Sequence, residues 1–537
     1  MIRCRLYISL SIFLLLSSFI NSHLLADSLN NTINSLAKGG FKERAKVIGS
    51  MALLNDDRIL NSLEALGAGK LYFRKNNKQV IILKKENNKY YAKDPITQSN
   101  LGLTQKKQFK KIKVNNRLRR QIKLILSSLK LKASSPKDRI LAATNILKTI
   151  DISALKAIQA QLLIEKNISV RKVMIAARAS LILFNNSTNA KQIQSINILT
   201  EYGGREARSV LMQFLSSANP QVKKITENGI KTIDASLQRW TFIQNIWYGL
   251  SLGSVLLLAA IGLAITFGVM GVINMAHGEM VMIGAYTTFV VQDLIKANFS
   301  HLFEYSLAFS LPLAFIVSGL VGIAIERGVI RYLYGRPLET LLATWGISLV
   351  LQQTVRSLFG PTNQEVSSPE FMSGAFQLGQ MTITYNRLYI IIFAVFILLI
   401  LLILIKKSSF GLQMRAVTQN RLMARSMGIR SDWVDAMTFG LGSGIAGIAG
   451  VALSQIENVS PNLGQAYIID SFMVVVFGGV GNLWGTLVGA MTLGVANKFL
   501  EPFAGAVLAK IMVLIFIILF IQKRPRGMFA LKGRAIE

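Results

Sequence analysis

The sequence predicts an all-α polytopic membrane protein of about nine transmembrane or re-entrant segments, preceded by a mainly α-helical, HEAT-like soluble domain with one small β-hairpin. Three observations carry that reading. The 537 residues are 51% hydrophobic and only 16% charged, with a mean hydropathy of +0.43, which excludes an ordinary cytosolic enzyme. Charge is segregated, residues 27–240 holding 39 basic and 14 acidic side chains against 19 and 13 in residues 241–537. From Ile243 onward, apolar stretches long enough to cross a bilayer follow one another. The expected boundaries are therefore residues 1–26, 27–240 and 241–537.

Residues 1–26 run from Arg3 and Arg5 through an apolar stretch, Leu6 to Ile20, to a polar patch ending at Ala26. That order is a secretory signal peptide with cleavage expected near Ala26, an uncleaved signal anchor being the alternative. The single cysteine, Cys4, precedes the apolar core, and His23, His277 and His301 are scattered, so neither a disulfide framework nor a metal site is expected. Helical spacing to about Gly67 gives way to LYFRK and QVIILKK, whose separation by Asn76-Asn77-Lys78 is a hairpin signal. Residues 134–150 and 208–234 each place a turn before a helix, the pattern of helical-pair repeats. Arg117, Arg119, Arg120 and Lys123 form a basic helical patch, but no aromatic-interleaved reader accompanies it. An exported basic surface near anionic headgroups or an acidic partner is expected, and nucleic acid is not.

The apolar stretches fall at about residues 244–267, 279–297, 305–328, 340–359, 388–405, 433–455, 466–480, 484–500 and 505–521. The two around Gly478 to Gly489 are short and glycine-interrupted, as broken or re-entrant segments are. Basic residues cluster after the third stretch (Arg327, Arg331, Arg336), after the fifth (Lys406, Lys407, Arg415, Arg421, Arg425, Arg430) and after the last (Lys523, Arg524, Arg526, Lys532, Arg534). All three clusters share one side, which the positive-inside rule makes cytoplasmic. A multi-pass protein of the bacterial inner membrane is expected, with residues 27–240 periplasmic and the C-terminus cytoplasmic.

Polar groups at membrane depth need partners, because unpaired they cost several kcal/mol in hydrocarbon. The candidates are Asn274, His277 and Glu279 between the first two stretches, Thr344, Gln352 and Gln353 in the fourth, and Asp470 and Ser471 in the seventh. The first three fit equally a helix turn at the membrane boundary, with Glu279 favoured in a first turn by the helix dipole. Asp470 is the more distinctive, since an ionisable residue inside a span usually faces protein. Residues 411–429 form a basic, helix-compatible segment whose small residues Gly411, Ala416, Ala424 and Gly428 permit close approach. On composition alone it reads as an ordinary positive-inside loop; it can also dock into a groove on a separate protein and transmit a push. No G-x-x-x-x-G-K-[ST] loop occurs, so no ATPase site, nucleophile–base pair or cofactor is expected in this chain.

The stretch ITFGVMGVINMAHGEMVMIGAY, residues 265–286, resembles the permeases of ABC importers for branched-chain amino acids. The resemblance continues through residues 333–361, 411–429 and 462–490, four motifs in order. The long N-terminal extension, with DPITQSNLG and VNNRLRR, is similar to that of the urea-type subfamily. What the resemblance implies is a permease subunit that translocates urea or a short-chain amide by alternating access. Its partners would be a homologous second permease, two cytoplasmic ATP-binding subunits and a periplasmic substrate-binding protein, all on a lipid bilayer. Gly411, Arg415, Ala416, Asn420, Arg421, Ala424 and Gly428 would then be the ATPase-coupling loop, although the Glu-Ala-Ala pattern of many importers is missing. Asn274, Gln352, Gln353 and Asp470 suit urea, a small planar carbonyl acceptor with four N–H donors. The competing readings are a branched-chain amino acid permease and, from another class, a stand-alone channel or ion-coupled transporter.

Overall fold

The computed structural model describes residues 29–53, 58–86, 89–104, 106–185, 187–216 and 218–529. The signal segment and Cys4 lie outside the described residues. The chain divides into two compact units, the first ending at Gln238 and the second beginning at Arg239.

In the first unit, residues 29–35 are helical and are followed by α1 (Phe41–Leu53) and α2 (Arg58–Gly67). The expected hairpin is present as β1 (Leu71–Arg74) and β2 (Val80–Glu86), with Phe73 opposite Val80 and Lys78 at φ 55 in the turn. It is not alone. With β3 (Lys89–Lys93), β4 (Asn100–Thr104) and β5 (Phe109–Lys111) it forms a five-stranded antiparallel sheet in the order β4-β3-β2-β1-β5. The extra strands are short, Lys flanks the apolar residues of β3 and follows Phe109 in β5, and β4 is mostly solvated, so no apolar run announced them. Asp94 organises the β3–β4 turn, its Oδ1 accepting from the backbone N–H of Ile96 (2.8 Å) and Thr97 (2.9 Å).

Helical periodicity returns, as expected, in α3 (Asn116–Lys130), α4 (Pro136–Thr149), α5 (Leu155–Ile164), α6 (Ile168–Phe184), α7 (Asn189–Tyr202) and α8 (Gly204–Leu215). Asn115 caps α3, and Arg117, Arg119, Arg120 and Lys123 lie on its exposed face. Helices α4 to α8 share one core around Ala143, Met174, Ala177, Leu181, Leu199 and Leu211. Arg139 of α4 clamps the α5–α6 turn: its Nε donates to Glu165 Oε2 (2.7 Å) and its Nη2 to Glu165 Oε1 (3.0 Å). The division between units falls within α9 (Pro220–Met270).

The second unit continues with α10 (His277–Asn298), α11 (Ser306–Gly328), α12 (Pro337–Phe359), β6 (Ala375–Leu378) and β7 (Met381–Thr384). Then come α13 (Tyr385–Lys407), α14 (Ser409–Gln419), α15 (Arg421–Ser426), α16 (Ser431–Ser454), α17 (Leu463–Gly478) and α18 (Leu483–Lys523). Each of the nine expected stretches falls on one of these helices, but among the described residues six helices, not nine, are long and apolar enough to cross a membrane. Two expected stretches share α18, which breaks at Gly505 (φ 76, ψ 164). Helix α17 has only 16 residues, and α12 carries Glu339, Gln352, Gln353 and Arg356, which lower its hydropathy. The hairpin of β6 and β7, in the loop between α12 and α13, had no strand signal in the sequence analysis.

Small residues decide how the membrane helices meet. A Cβ added to Gly284 of α10 would strike the carbonyl oxygen of Gly447 in α16, and one added to Gly278 would strike that of Gly464 in α17. Such backbone-to-backbone contact is how helices associate where no water drives them together.

Outside the membrane segments, hydrogen bonding from the Arg139 guanidinium holds the Glu165 carboxyl below its ordinary value of 4.5. A lowered folded-state value means that the stabilisation is fully present above the ordinary pKa and is lost as pH falls through the lowered one. Glu165→Gln should therefore cost about 2 kcal/mol at neutral pH. Its melting deficit relative to the parent should shrink once pH drops below the carboxylate range, as read by thermal unfolding of the purified full chain. A deficit independent of pH would contradict this.

Candidate functional site

The chain leaves the helical conformation after Met270, with Gly271 at φ 67, and re-enters it at His277. Residues 271–276 form the turn that places the polar candidates. Asn274 Oδ1 accepts from the backbone N–H of Ala276 (3.0 Å), and the N–H of Met275 donates to Thr344 Oγ1 of α12 (3.2 Å). His277 Nε2 faces the carbonyl oxygen of Ala259 at 2.9 Å, which assigns the proton to that nitrogen.

One turn into α10, Glu279 is the centre of the arrangement. Its Oε1 accepts from Gln352 Nε2 (2.7 Å) and Ser348 Oγ (2.9 Å), and Gln352 Nε2 also lies 3.3 Å from Ser348 Oγ. Thr344, Ser348 and Gln352 are four residues apart, so α12 presents all three from one face. The second oxygen, Oε2, lies against Gly464, at the start of α17. Asn274, His277, Glu279, Thr344 and Gln352, five of the eight expected site residues, are thus all buried, Glu279 and Gln352 hydrogen-bonded together with Ser348 and the other three at the turn that opens α10.

Three buried polar atoms of these side chains have no hydrogen-bond partner among the described residues: Asn274 Nδ2, His277 Nδ1 and Glu279 Oε2. Nor has Glu279 a basic partner among the described residues. An amide donor, a carboxyl oxygen and an imidazole nitrogen without partners can bind a small ligand that carries both donors and acceptors.

The remaining three candidates lie elsewhere. Gln353 is exposed, since the residue after Gln352 points about 100° away around the helix. Asp470 and Ser471 are buried on α17, where Asp470 Oδ2 accepts from Lys510 Nζ of α18 (2.8 Å) and Tyr467 donates to Glu457 Oε1 (3.0 Å). The sequence analysis missed Ser348 and Lys510. The four-residue spacing from Thr344 to Gln352 pointed to the first, and a lone lysine in an apolar stretch pointed to the second.

The coupling-loop candidates form two short helices. Gly411 in α14 sits against the backbone of Ile405, whose carbonyl oxygen also accepts from Arg415. Asn420 caps α15 by accepting from the N–H of Met423 (2.9 Å). Arg421 stacks 4.4 Å from the ring centre of Tyr334 and pairs with buried Asp435 of α16, and Arg425 pairs with Asp432 (2.7 Å). Gly428 ends the segment at φ 85 and Ala424 is buried, whereas Leu412, Leu422, Met423 and Met427 are exposed. Two ion pairs to α16 thus hold an apolar surface on a basic segment. A cavity of about 410 Å³ opens beside it, lined by Gly268, Leu402, Met414, Thr418, Asn482 and Trp484, away from the Glu279 network.

Long apolar helices packed on glycine around a buried polar network define a membrane transport scaffold. Residues 245–521 match the family model described as branched-chain amino acid transport system / permease component, and the chain belongs to that family. It is 30% identical over 293 residues to the high-affinity branched-chain amino acid transport system permease protein BraD of Pseudomonas aeruginosa, covering 53% of this chain and 95% of the relative. Against LivH of Escherichia coli K12, which carries the same description, identity is 30% over 293 residues, with 53% and 94% covered. The probable LivH of Methanocaldococcus jannaschii is 27% identical over 301 residues, with 53% and 91% covered. No solved structure matches.

Removing one member of the Glu279–Gln352 pair leaves the other buried with Ser348 as its one remaining side-chain partner among the described residues, whereas removing both leaves neither group behind. Glu279→Leu and Gln352→Leu should each destabilise by about 1–3 kcal/mol, and the double variant by less than their sum. A double-mutant cycle of thermal unfolding on the purified chain measures this; strict additivity would show that the pair does not interact.

Proposed function

We propose that this chain is the permease subunit of an ABC importer for branched-chain amino acids. Urea, the first expectation from sequence, takes second place, because the relatives matched over nearly their whole length are named for branched-chain amino acids. The site supports the same order. Glu279 Oε2 and Asn274 Nδ2 offer an acceptor for an ammonium and a donor for a carboxylate, which an amino acid has and urea lacks. The urea reading keeps one observation in its favour, namely that the relatives leave about half of this chain unmatched, including the basic unit before Arg239.

On this reading Asn274, His277, Glu279, Thr344, Ser348 and Gln352 line the substrate path. Asp470 with Lys510 forms a second polar step on α17. Transport proceeds by alternating access, with the power stroke supplied by two cytoplasmic ATP-binding subunits. Those subunits seat on the exposed apolar side chains of α14 and α15, and the ion pairs Arg421–Asp435 and Arg425–Asp432 carry their movement into α16. A second permease and a periplasmic binding protein complete the importer. On this proposal α14 and α15 are cytoplasmic and residues 27–240 are periplasmic behind a cleaved signal peptide, a reading that loop charge and the order of residues 1–26 support. The family match carries the reading.

The test is uptake by proteoliposomes holding the chain with its co-isolating subunits, ATP and the delivery protein. Labelled leucine should accumulate, unlabelled valine and isoleucine should compete, and urea in large excess should not. Accumulation of urea unaffected by leucine would restore the amide reading, and concentrative uptake by the chain alone would establish a self-sufficient transporter.

A further inference from the structure

The turn joining α5 to α6 places three large aliphatic side chains in solvent. Leu163, Ile164 and Ile168 are 87%, 68% and 85% exposed. Single apolar residues on a surface are ordinary, but three within six positions form a patch that asks for a cover. The turn that carries them is held firmly. Glu165 points inward to the Arg139 clamp and accepts from the N–H of Asn167 (3.0 Å). Arg171 Nη1 donates to the carbonyl oxygen of Leu162 (3.0 Å), and Asn167 caps α6 by accepting from the N–H groups of Ser169 (3.0 Å) and Val170 (3.2 Å). A buried polar network therefore presents an aliphatic tip outward.

The charge around the tip has one sign. Residues 131–180 carry nine Lys and Arg against Asp138, Asp151 and Glu165, and Glu165 is already engaged by Arg139. Lys156, Lys166 and Lys172 are exposed. An aliphatic tip flanked by lysines, without aromatic side chains and with its one amide, Asn167, engaged in capping α6, matches the boundary between headgroups and acyl chains of an anionic bilayer. Among its described residues the same chain carries six helices long and apolar enough to cross a membrane, so this unit is covalently tethered to a bilayer at high effective concentration.

We propose that the α5–α6 turn is a lipid-surface contact, with Leu163, Ile164 and Ile168 seated among acyl chains and Lys166 and Lys172 at the level of anionic phospholipid phosphates. It gives the basic unit a role that neither transport nor ATP coupling requires.

The test uses the full chain with Cys4→Ser and a single Ser169→Cys bearing an environment-sensitive fluorophore, in phosphatidylglycerol vesicles with brominated acyl chains. Ala190→Cys, on an exposed position of α7, is the reference. The expected result is a blue-shifted, lipid-quenched label at position 169 and an unquenched one at position 190. Leu163→Ser, Ile164→Ser and Ile168→Ser combined should reduce the quenching about tenfold or more. Phosphatidylcholine alone, or about 1 M salt, should reduce it several-fold by removing or screening the charge attraction. All three replaced side chains are exposed, and an unchanged thermal transition confirms that the variant is folded. Quenching no greater than at position 190, or insensitive to the serine substitutions or to lipid charge, would overturn the proposal. So would concentration-dependent burial of the label in detergent, which would assign the tip to a second copy of the chain. No outcome depends on which substrate is transported.

Discussion

The carboxylate of Glu279 constrains the second unit more than any other group. It sits on a helix that glycine contacts draw against α16 and α17 until backbone meets backbone, leaving no room for bulk water. In that setting an isolated carboxylate is not tolerable, and the acceptor must be met by donors fixed in advance. Helix α12 meets it with Ser348 and Gln352 at four-residue spacing, and these polar residues lower that helix's own hydropathy. Polarity in α12 answers that requirement directly, and glycine in α10 permits the close packing that imposes it.

The network is nevertheless incomplete. One oxygen of Glu279, one nitrogen of His277 and the amide nitrogen of Asn274 have no partner among the described residues. A purely structural brace is better served by full satisfaction, since each unmet buried group costs stability. Groups left open beside satisfied ones suit the translocation site proposed above, because a transient ligand can complete them and then leave.

Sequence reasoning went furthest where period and polarity coincide. Apolar runs placed every membrane helix, and the rarity of polar residues in them singled out five of the residues that meet around Glu279. It failed where a residue's meaning depends on rotation or on a distant partner. Gln353 and Gln352 are the same residue type in adjacent positions, yet 100° of helical turn puts one in the network and the other outside. Lys510 gains its role only when α18 folds back past Gly505 to meet Asp470. Strands β3 to β5 are short and bury little, Ala92 and Phe109 being their buried side chains among the described residues, so no clear alternation marks their segments as strands.

The central claim is that the Glu279 network lies on a path that opens and closes. Ser348→Cys in a Cys4→Ser background places a thiol beside Glu279 without adding bulk. In the assembled importer, a membrane-impermeant thiol reagent should label that position from one face of the membrane without nucleotide, lose access when ATP is bound but not hydrolysed, and be excluded by leucine. A thiol that no reagent reaches in any nucleotide state, with transport intact, would make the network a sealed brace and contradict the account.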